Sequence, residues 1–358
     1  MDSAVLTPEA LPQRKKTRDF GLDLLRALAI FGVVLVHTSS DGYYTEVGCL
    51  NWWGSMFWSL FCRRNVVLFL MCSGAVLLQP EKPLTLRKLF LHNIPRLLIS
   101  LLFWAMFYKV QLLIDAHGLN ARNLWQAFKE VLTFNHMWHL YYMDIMLLVY
   151  LWLPVTRILT EKATKKQLHY ALALWFALGI VYPTVKPFWP FTLLQGMVGS
   201  QWLLNMTYAS IGYGLLGWYL RTYPLSVRKS IIVMLAGFLF TADGTIIQSF
   251  RLGYSYQGFI EEMTVGPCLM GAGLYALCLH VKKAPNKVIG FIVEQLSRGS
   301  LCIYCVHVIF LDKLPRCLAW PGVSTFISIP AQAIITTALC WIIYFILSKI
   351  PVLKKWIV

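Results

Sequence analysis

The sequence predicts an all-α integral membrane protein with about ten transmembrane helices and both termini in the cytoplasm. Of its 358 residues, 58% are hydrophobic and only 13% are charged, and the mean hydropathy is +0.61. Apolar blocks recur along the whole chain from Phe20 onward, and basic residues cluster between alternate blocks. A water-soluble protein of this length would carry far more charge, so the composition excludes that class.

Each predicted span is an apolar block of about 20 residues, the length that crosses roughly 30 Å of hydrocarbon. The first span is preceded by a polar stretch and is too long for the apolar region of a signal peptide, so we expect it to remain uncleaved. A polar N-terminal tail (1–19), a single membrane domain (20–350) and a short C-terminal tail (351–358) make up the predicted organisation. The predicted spans are 20–40, 60–79, 94–114, 138–158, 168–185, 202–220, 230–248, 261–281, 299–315 and 326–349.

The distribution of Lys and Arg predicts the orientation. Of the 32 basic residues, 22 lie in the two tails and the even-numbered connections, and six lie in the odd-numbered connections. Basic residues accumulate on the cytoplasmic side of membrane proteins, so both tails are expected there. The same distribution accounts for the net charge of +16 without a basic face or tail, so we predict no nucleic-acid partner.

Most of the nine cysteines lie inside apolar blocks, where they behave as small hydrophobic residues. Cys302 and Cys305 form a CxxC pair within a predicted span, but no second pair accompanies them. The sequence therefore predicts neither a disulfide framework nor a metal site.

The first predicted span contains three ionisable residues, Asp23, Arg26 and His37, which are costly inside a bilayer. Eleven residues separate Arg26 from His37, about three helical turns and roughly 16 Å, so both point to one side of the helix. Asp23 shares that face and is close enough to pair with Arg26. The stripe suits a polar path through the membrane; alternatively, Arg26 extends to the headgroups and His37 bonds to a backbone carbonyl.

Five stretches of the chain carry a recognisable pattern: LDLLRALAIFGVVLVH (22–37), RRNVVLFLMCSG (63–74), LRKLFLHNIPRLL (86–98), HMWHLYYMDIMLLVYLWLP (136–154) and SRGSLCIYCVH (297–307). In this order they resemble the acyltransferase 3 family of membrane acyltransferases. The Arg and His of the first stretch look like the family's signature, and the others are similar to its second and third spans, the start of a following span and a late Ser-Gly-Tyr-His segment. The chain most resembles the stand-alone type that O-acetylates surface polysaccharide.

The resemblance implies a multi-pass O-acetyltransferase of the bacterial inner membrane. It would move an acetyl group from cytoplasmic acetyl-CoA to a hydroxyl of a surface polysaccharide or lipid-linked glycan on the outer side. No permanently bound cofactor is expected, with acetyl-CoA serving as cosubstrate. His37 would act as base or as acyl-carrying nucleophile together with Arg26, since a histidine can do either.

Donor binding would need cations for the phosphates of coenzyme A, for which the planar guanidinium of Arg is suited. We expect Arg26, with Asp23, and Arg96 to form this donor site on the cytoplasmic side. The family often has two arginines at the third span, and here Asn93 takes the place of the first.

The candidates for oxyanion stabilisation or substrate binding lie toward the outer side or near mid-membrane. Each has a structural alternative: interfacial anchoring for the arginines, packing for the histidines and a solvated helix end for the glutamate. His136 and His139 are expected to share one helical face. The full set is Arg63, Arg64, Asn65, His136, His139, Glu262, Tyr304 and His307.

Two other functions remain open at this stage. A transporter or flippase for a polysaccharide or its lipid-linked precursor would also need a polar intramembrane path, although no clear internal repeat is present. The second is a sensory or structural membrane protein without catalytic activity. The stripe of Arg26 and His37 on the first span argues against this alternative.

Overall fold

The computed structural model describes residues 18–195, 204–314, 316 and 319–358, and the regular structure of these residues is helical. The helices have the following bounds: α1 Phe20–Ser39, α2 Leu50–Cys62, α3 Asn65–Leu77, α4 Leu86–Asp115, α5 Ala121–Leu132, α6 Tyr141–Lys162, α7 Lys165–Val185, α8 Met206–Thr222, α9 Val227–Leu252, α10 Val265–Leu279, α11 Lys287–Lys313, α12 Thr325–Leu347 and α13 Pro351–Trp356.

Eight helical segments in the described part of the chain are long and apolar enough to cross a membrane, which confirms an all-α integral membrane protein. The predicted spans 202–220 and 261–281 correspond to the shorter helices α8 and α10, so the count of ten is not confirmed. The first two residues of the span predicted at 202–220 lie outside the described residues.

Two boundaries differ from the prediction. The ninth predicted span begins at 299, whereas α11 begins at Lys287, where the Asn286 side chain accepts a hydrogen bond from the Ile289 amide (2.8 Å). Charged residues in the first turns of α11 lower the local hydropathy, so the hydropathy pattern does not show where the helix begins. The second predicted span, 60–79, begins within the last turn of α2, whereas the apolar segment begins at Leu50 and consists of α2 and α3, separated by Arg63 and Arg64.

Helix α1 lies at the centre of the bundle, in contact with α2, α3, α11 and α12. Two-thirds of the residues in its most apolar stretch are buried inside the protein, compared with 28% of the residues in the corresponding stretches of α4, α7 and α9. An ionisable side chain on α1 therefore faces other helices more than lipid, which is where such groups are tolerated in a membrane protein.

Two glycines, one in α3 and one in α1, let the helices that carry the site pack closely against their neighbours. At Gly74 of α3, a Cβ atom would lie 1.9 Å from the carbonyl oxygen of Gly214 in α8, so the two backbones touch. At Gly32 of α1, a Cβ atom would lie 2.4 Å from the Oδ1 atom of Asn65. Small residues at these points permit the tight packing usual between membrane helices and bring Asn65 onto α1.

Helices α1 and α11 run in the same direction through the bundle. At the end that the sequence predicts to be cytoplasmic, the Ser297 hydroxyl donates to the Asp23 carboxylate (2.7 Å), and toward the predicted outer end the rings of His37 and His307 stack. The seam between α1 and α11 is therefore lined by the ionisable residues that the sequence singled out.

The C-terminal residues, predicted as a tail, include the helix α13 and pack on α4. Ser100 and Trp104 donate to the Ile357 carbonyl (3.1 and 3.4 Å), and Ile357 and Val358 are buried. Toward the other end of α4, Lys109 pairs with Glu130 of the amphipathic helix α5 (2.5 Å).

Candidate active site

A cavity of about 40 Å³, named the outer cavity after the predicted orientation, lies beside His37, where the C-terminal halves of α1 and α11 meet the start of α3 and α6. Polar and ionisable side chains make up much of its wall, which is unusual inside a membrane bundle. The residues that line it are Val33, Val36, His37, Cys62, Arg63, Asn65, Val66, His139, Tyr141, Glu262 and Tyr304. Six of the residues singled out from the sequence thus line this one space.

His37 is enclosed by other rings. The ring of His307 stacks on it at 5.1 Å between centroids, and the ring of Trp138 meets it edge-on at 4.9 Å. His139 lies edge-on to His307 at 5.6 Å. These contacts fix the plane of the His37 imidazole, which is what a reacting group requires.

The hydrogen bond of His307 defines its tautomer. Its Nδ1 atom lies 2.7 Å from the Tyr304 carbonyl oxygen, which can only accept, so Nδ1 carries the hydrogen. The Nε2 atom of His307 and both ring nitrogens of His139 are buried without a hydrogen-bond partner among the described residues. Buried unpartnered nitrogens are costly and are concentrated at functional sites.

Arg63 borders the cavity and is held by polar neighbours. Its Nη2 atom donates to the Tyr43 hydroxyl (3.1 Å), and its Nε atom donates to the Ser59 hydroxyl (3.4 Å). Arg64 instead donates to the Phe61 carbonyl and lies over the Phe61 ring, and it does not line the cavity. The structure therefore separates the two arginines that the sequence considered together.

Glu262 reaches the cavity from the loop before α10. The Tyr141 hydroxyl donates to its Oε1 atom (3.2 Å), and the Tyr213 hydroxyl donates to its backbone carbonyl (2.6 Å). The Nδ2 atom of Asn65 is buried and has no hydrogen-bond partner among the described residues. The cavity therefore offers an anionic acceptor, a cation and a free amide donor.

His136 and His139 do not share a helical face, contrary to expectation. His136 precedes a short 3₁₀ turn (Trp138–Leu140), and its Nε2 atom lies 3.2 Å from the Asp144 carboxylate, away from the cavity wall. The hydrogen bond to Asp144 raises the pKa of His136. His139 lies within the turn and points into the bundle, where it is buried.

An inner cavity of about 180 Å³ lies beside Arg26, between α1, α3, α4, α6 and α11. Its wall is mainly apolar, with Arg26 as its cation and the hydroxyls of two serines and three tyrosines. The residues that line it are Arg26, Phe69, Ser73, Leu97, Tyr142, Met143, Met146, Tyr150, Ser300, Leu301 and Tyr304.

The prediction that Asp23 pairs with Arg26 is wrong. Asp23 accepts two hydrogen bonds from Arg18 (2.7 and 2.8 Å) and one from Ser297 (2.7 Å), and within the described chain Arg26 forms no ion pair. Arg18 lies just before α1 and can turn its side chain back along the helix. Its hydrogen bond to Asp23 raises the pKa of Arg18.

Arg96 lies near the inner cavity without lining it. Its Nη2 atom donates to the Val358 carbonyl (2.9 Å), while the Tyr150 hydroxyl lies within electrostatic reach of both Arg26 and Arg96. The two arginines expected at the donor site therefore both lie within electrostatic reach of Tyr150, and of the two Arg26 lines the cavity.

Several residues that line a cavity or, like Trp138, contact His37 were not selected from the sequence. Trp138, Tyr141, Tyr142 and Tyr150 belong to a stretch whose aromatic residues are explained equally well by an interfacial belt. Ser300 could have been found, because it lies four residues before Tyr304 and hence on the same face of α11.

In comparisons with known proteins, a family model described as an acyltransferase domain, that of the acyltransferase 3 family, matches residues 19–345. No curated protein and no solved structure matches the chain. The matched region contains both cavities and nearly every helix described above. The chain therefore belongs to the acyltransferase 3 family, and it is a multi-pass membrane acyltransferase that acts on an acyl donor and an acceptor.

Proposed function

We propose that the chain is an acetyl-CoA-dependent O-acetyltransferase of the bacterial inner membrane. It takes the acetyl group from cytoplasmic acetyl-CoA and passes it to a hydroxyl of a surface polysaccharide or lipid-linked glycan on the outer side. The observation that carries this proposal is the pair of cavities along α1 and α11, with Arg26 beside the inner one and His37 beside the outer one. The family match supports acyl transfer and gives no support to a transporter or flippase.

The inner cavity suits the donor. A guanidinium pairs with phosphate oxygens through two parallel hydrogen bonds, which Arg26 and Arg96 can provide near Tyr150. The pantetheine arm of coenzyme A is a chain of methylene groups interrupted by amides. The apolar wall would contact the methylenes, and the hydroxyls of Ser73, Ser300 and Tyr142 would bond to the amides. Coenzyme A binds as a cosubstrate and leaves after each turnover.

The outer cavity suits the transfer itself. In the simplest route His37 removes the proton from the acceptor hydroxyl, and that oxygen attacks the thioester carbonyl. The carbon–sulfur bond then breaks, coenzyme A leaves as a thiolate, and the thiolate takes up a proton. Alternatively, His37 attacks the thioester first and carries the acetyl group to the acceptor. Both routes need His37 in a fixed orientation, which His307 and Trp138 provide.

Two further groups would assist either route. The negative oxygen of the tetrahedral intermediate needs donors, and the free Nδ2 atom of Asn65 and the guanidinium of Arg63 border the same space. Glu262 and Tyr141 would bind hydroxyls of the acceptor sugar, since a carboxylate accepts and a phenol donates or accepts.

The experiment is transfer of radiolabelled acetyl from acetyl-CoA to envelope glycans in bacterial membranes. Membranes with the native chain are compared with membranes that contain the His37→Ala variant at equal amounts. A matched control is His169→Ala, because His169 is exposed, bonds to Tyr219 and lines neither cavity.

Label that appears with the native chain and the His169 control, and that disappears with His37→Ala, supports the proposal. Label that persists in His37→Ala moves the catalytic role to another residue, with His307 next. An absence of ester-linked label in every glycan fraction would overturn the assignment of donor and acceptor.

A further inference from the structure

Tyr304 stands between the two cavities. It lines the outer cavity beside His37 and also the inner cavity beside Arg26, and among the described residues it is the one that the two linings share. A group that moves from one cavity to the other must therefore pass this side chain.

The Tyr304 side chain is fixed at both its hydroxyl and its ring. Its hydroxyl donates a hydrogen bond to the backbone carbonyl of His139, which ties α11 to the turn before α6. Its ring meets the Tyr142 ring edge-on at 5.6 Å and packs near His307 at 6.1 Å. With 6% of its surface exposed, the ring has little room to move without a change in these neighbours.

The two spaces on either side of Tyr304 differ in size. The outer cavity measures about 40 Å³ and the inner one about 180 Å³. A single water needs about 10–15 Å³, so the outer cavity holds about three water-sized groups. An acetyl group has three non-hydrogen atoms, whereas a butyryl group has five and would contact Tyr304 and the valines of α1.

We propose that Tyr304 is a specificity-determining residue that admits a two-carbon acyl group to His37 and excludes longer ones. This inference rests on the proposed function. The thioester lies at the boundary between the cavities, with the pantetheine arm on the Arg26 side and the acyl group on the His37 side. The Tyr304 ring closes the opening around the thioester, so extra methylenes on the acyl group have no space.

The activity test uses acyl-CoA donors of two, three, four and six carbons, each radiolabelled in the acyl group. The variants are Tyr304→Ala, which removes the ring, and Tyr304→Phe, which keeps the ring and removes the hydroxyl. Tyr219→Ala is the matched control, because Tyr219 is a partly buried tyrosine that lines neither cavity. The readout is ester-linked label in the membrane glycans.

We expect the native chain to prefer acetyl over butyryl by at least tenfold, since one excess methylene in a tight pocket changes the rate by about 10- to 200-fold. Tyr304→Ala should raise the ratio of butyryl to acetyl transfer at least tenfold, while Tyr304→Phe and Tyr219→Ala leave that ratio within about twofold. An unchanged ratio in Tyr304→Ala, an equal rise in Tyr219→Ala, or a native chain that uses both donors equally overturns the inference.

A second measurement does not depend on acyl transfer. Ser73→Cys places a thiol in the inner cavity, and Ag⁺ is added to the outer side of sealed membrane vesicles. The protein is then denatured and treated with maleimide, which reacts with the introduced thiol unless Ag⁺ has bound to it. Mass spectrometry of the peptide that contains this thiol measures the protected fraction. We expect protection in the Tyr304→Ala background and little with Tyr304 present. Equal protection in both backgrounds would show that Tyr304 does not separate the two cavities, and this overturns the inference even if acetyl transfer is confirmed. If instead no acetyl transfer is detected but the protection differs as expected, the result contradicts the proposed function alone.

Discussion

The two cavities along the seam between α1 and α11 differ in what surrounds them. The outer cavity is small and has imidazole, guanidinium, carboxylate and amide groups in its wall, whereas the inner one is more than four times larger and mainly apolar, with Arg26 as its cation. Reacting groups need several fixed neighbours within hydrogen-bond reach. A long carrier arm needs room and contact with apolar walls. Under the proposed function, this difference would place the chemistry in the outer cavity and donor binding in the inner one.

The separation has a simple origin in the bundle. Helix α1 contributes Arg26 to one cavity and His37 to the other, roughly 16 Å apart along the helix axis. Helix α11 contributes Ser300 below and stacks His307 on His37 above. Two helices that run in the same direction thus define both ends of the path, and the other helices close its sides.

The largest expected effect tests the outer cavity. Replacement His37→Gln keeps the size of the side chain and removes the base, so acetyl transfer should fall by about 10²- to 10⁴-fold. The measurement is the initial rate of acetyl transfer in membranes at equal protein amounts. His169→Gln should keep the native rate, and a His37→Gln rate within tenfold of the native rate would move the chemistry away from this residue.

The next effect tests the inner cavity. Replacement Arg26→Met should raise the KM for acetyl-CoA by about 10- to 100-fold, because a hydrogen bond to a charged group contributes about 1.5–3 kcal/mol. Arg26→Lys should recover part of this loss, since an ammonium keeps the charge but not the planar fork. KM for both substrates is measured, with Arg251→Met as an exposed control at the end of α9. A change in the acceptor KM alone would contradict the assignment of Arg26 to acetyl-CoA binding.

A smaller effect separates the acceptor from the donor. Replacement Glu262→Gln keeps an oxygen that can accept from Tyr141 but removes the negative charge that faces the outer cavity. The acceptor KM should rise by about tenfold while the KM for acetyl-CoA stays unchanged. Glu261→Gln is the matched control, since this neighbouring carboxylate is exposed and does not line the cavity. Equal effects of the two variants would indicate a general charge effect at the outer surface.

The smallest expected effect concerns pH and the pair of His136 with Asp144. The hydrogen bond to Asp144 raises the pKa of His136, so the charged pair is fully formed below the ordinary imidazole pKa of about 6.5 and is lost as pH rises through the raised value. Because the Asp144 side chain is partly exposed, Asp144→Asn should lower the melting temperature by only about 2 °C near pH 5.5. The difference should vanish at alkaline pH, and thermal unfolding in detergent across this range checks it. A difference that grows with pH would contradict the pair.

Much of the candidate site could be found from sequence, because ionisable groups are rare inside membrane spans and therefore conspicuous. His37, Arg63, Asn65, His139, Glu262 and Tyr304 were each selected for that reason or by resemblance, and all six line one cavity. Their catalytic and binding roles remain predictions. Trp138 and Tyr141 were not selected, because aromatic residues near a membrane interface are common and carry little information about a site.

The membrane class and the family could be found from the sequence, since each depends on composition or on local order along the chain, and the orientation stays a prediction from the distribution of Lys and Arg. The packing of the helices was needed to show which polar residues meet: Arg64 and His136 turn away from the outer cavity, and Asp23 pairs with Arg18 and Ser297 instead of Arg26. Hydropathy and helical spacing could not show this, because they describe one helix at a time. Whether two side chains meet depends on how neighbouring helices pack, and here Gly32 and Gly74 let those helices come close enough to form the two cavities.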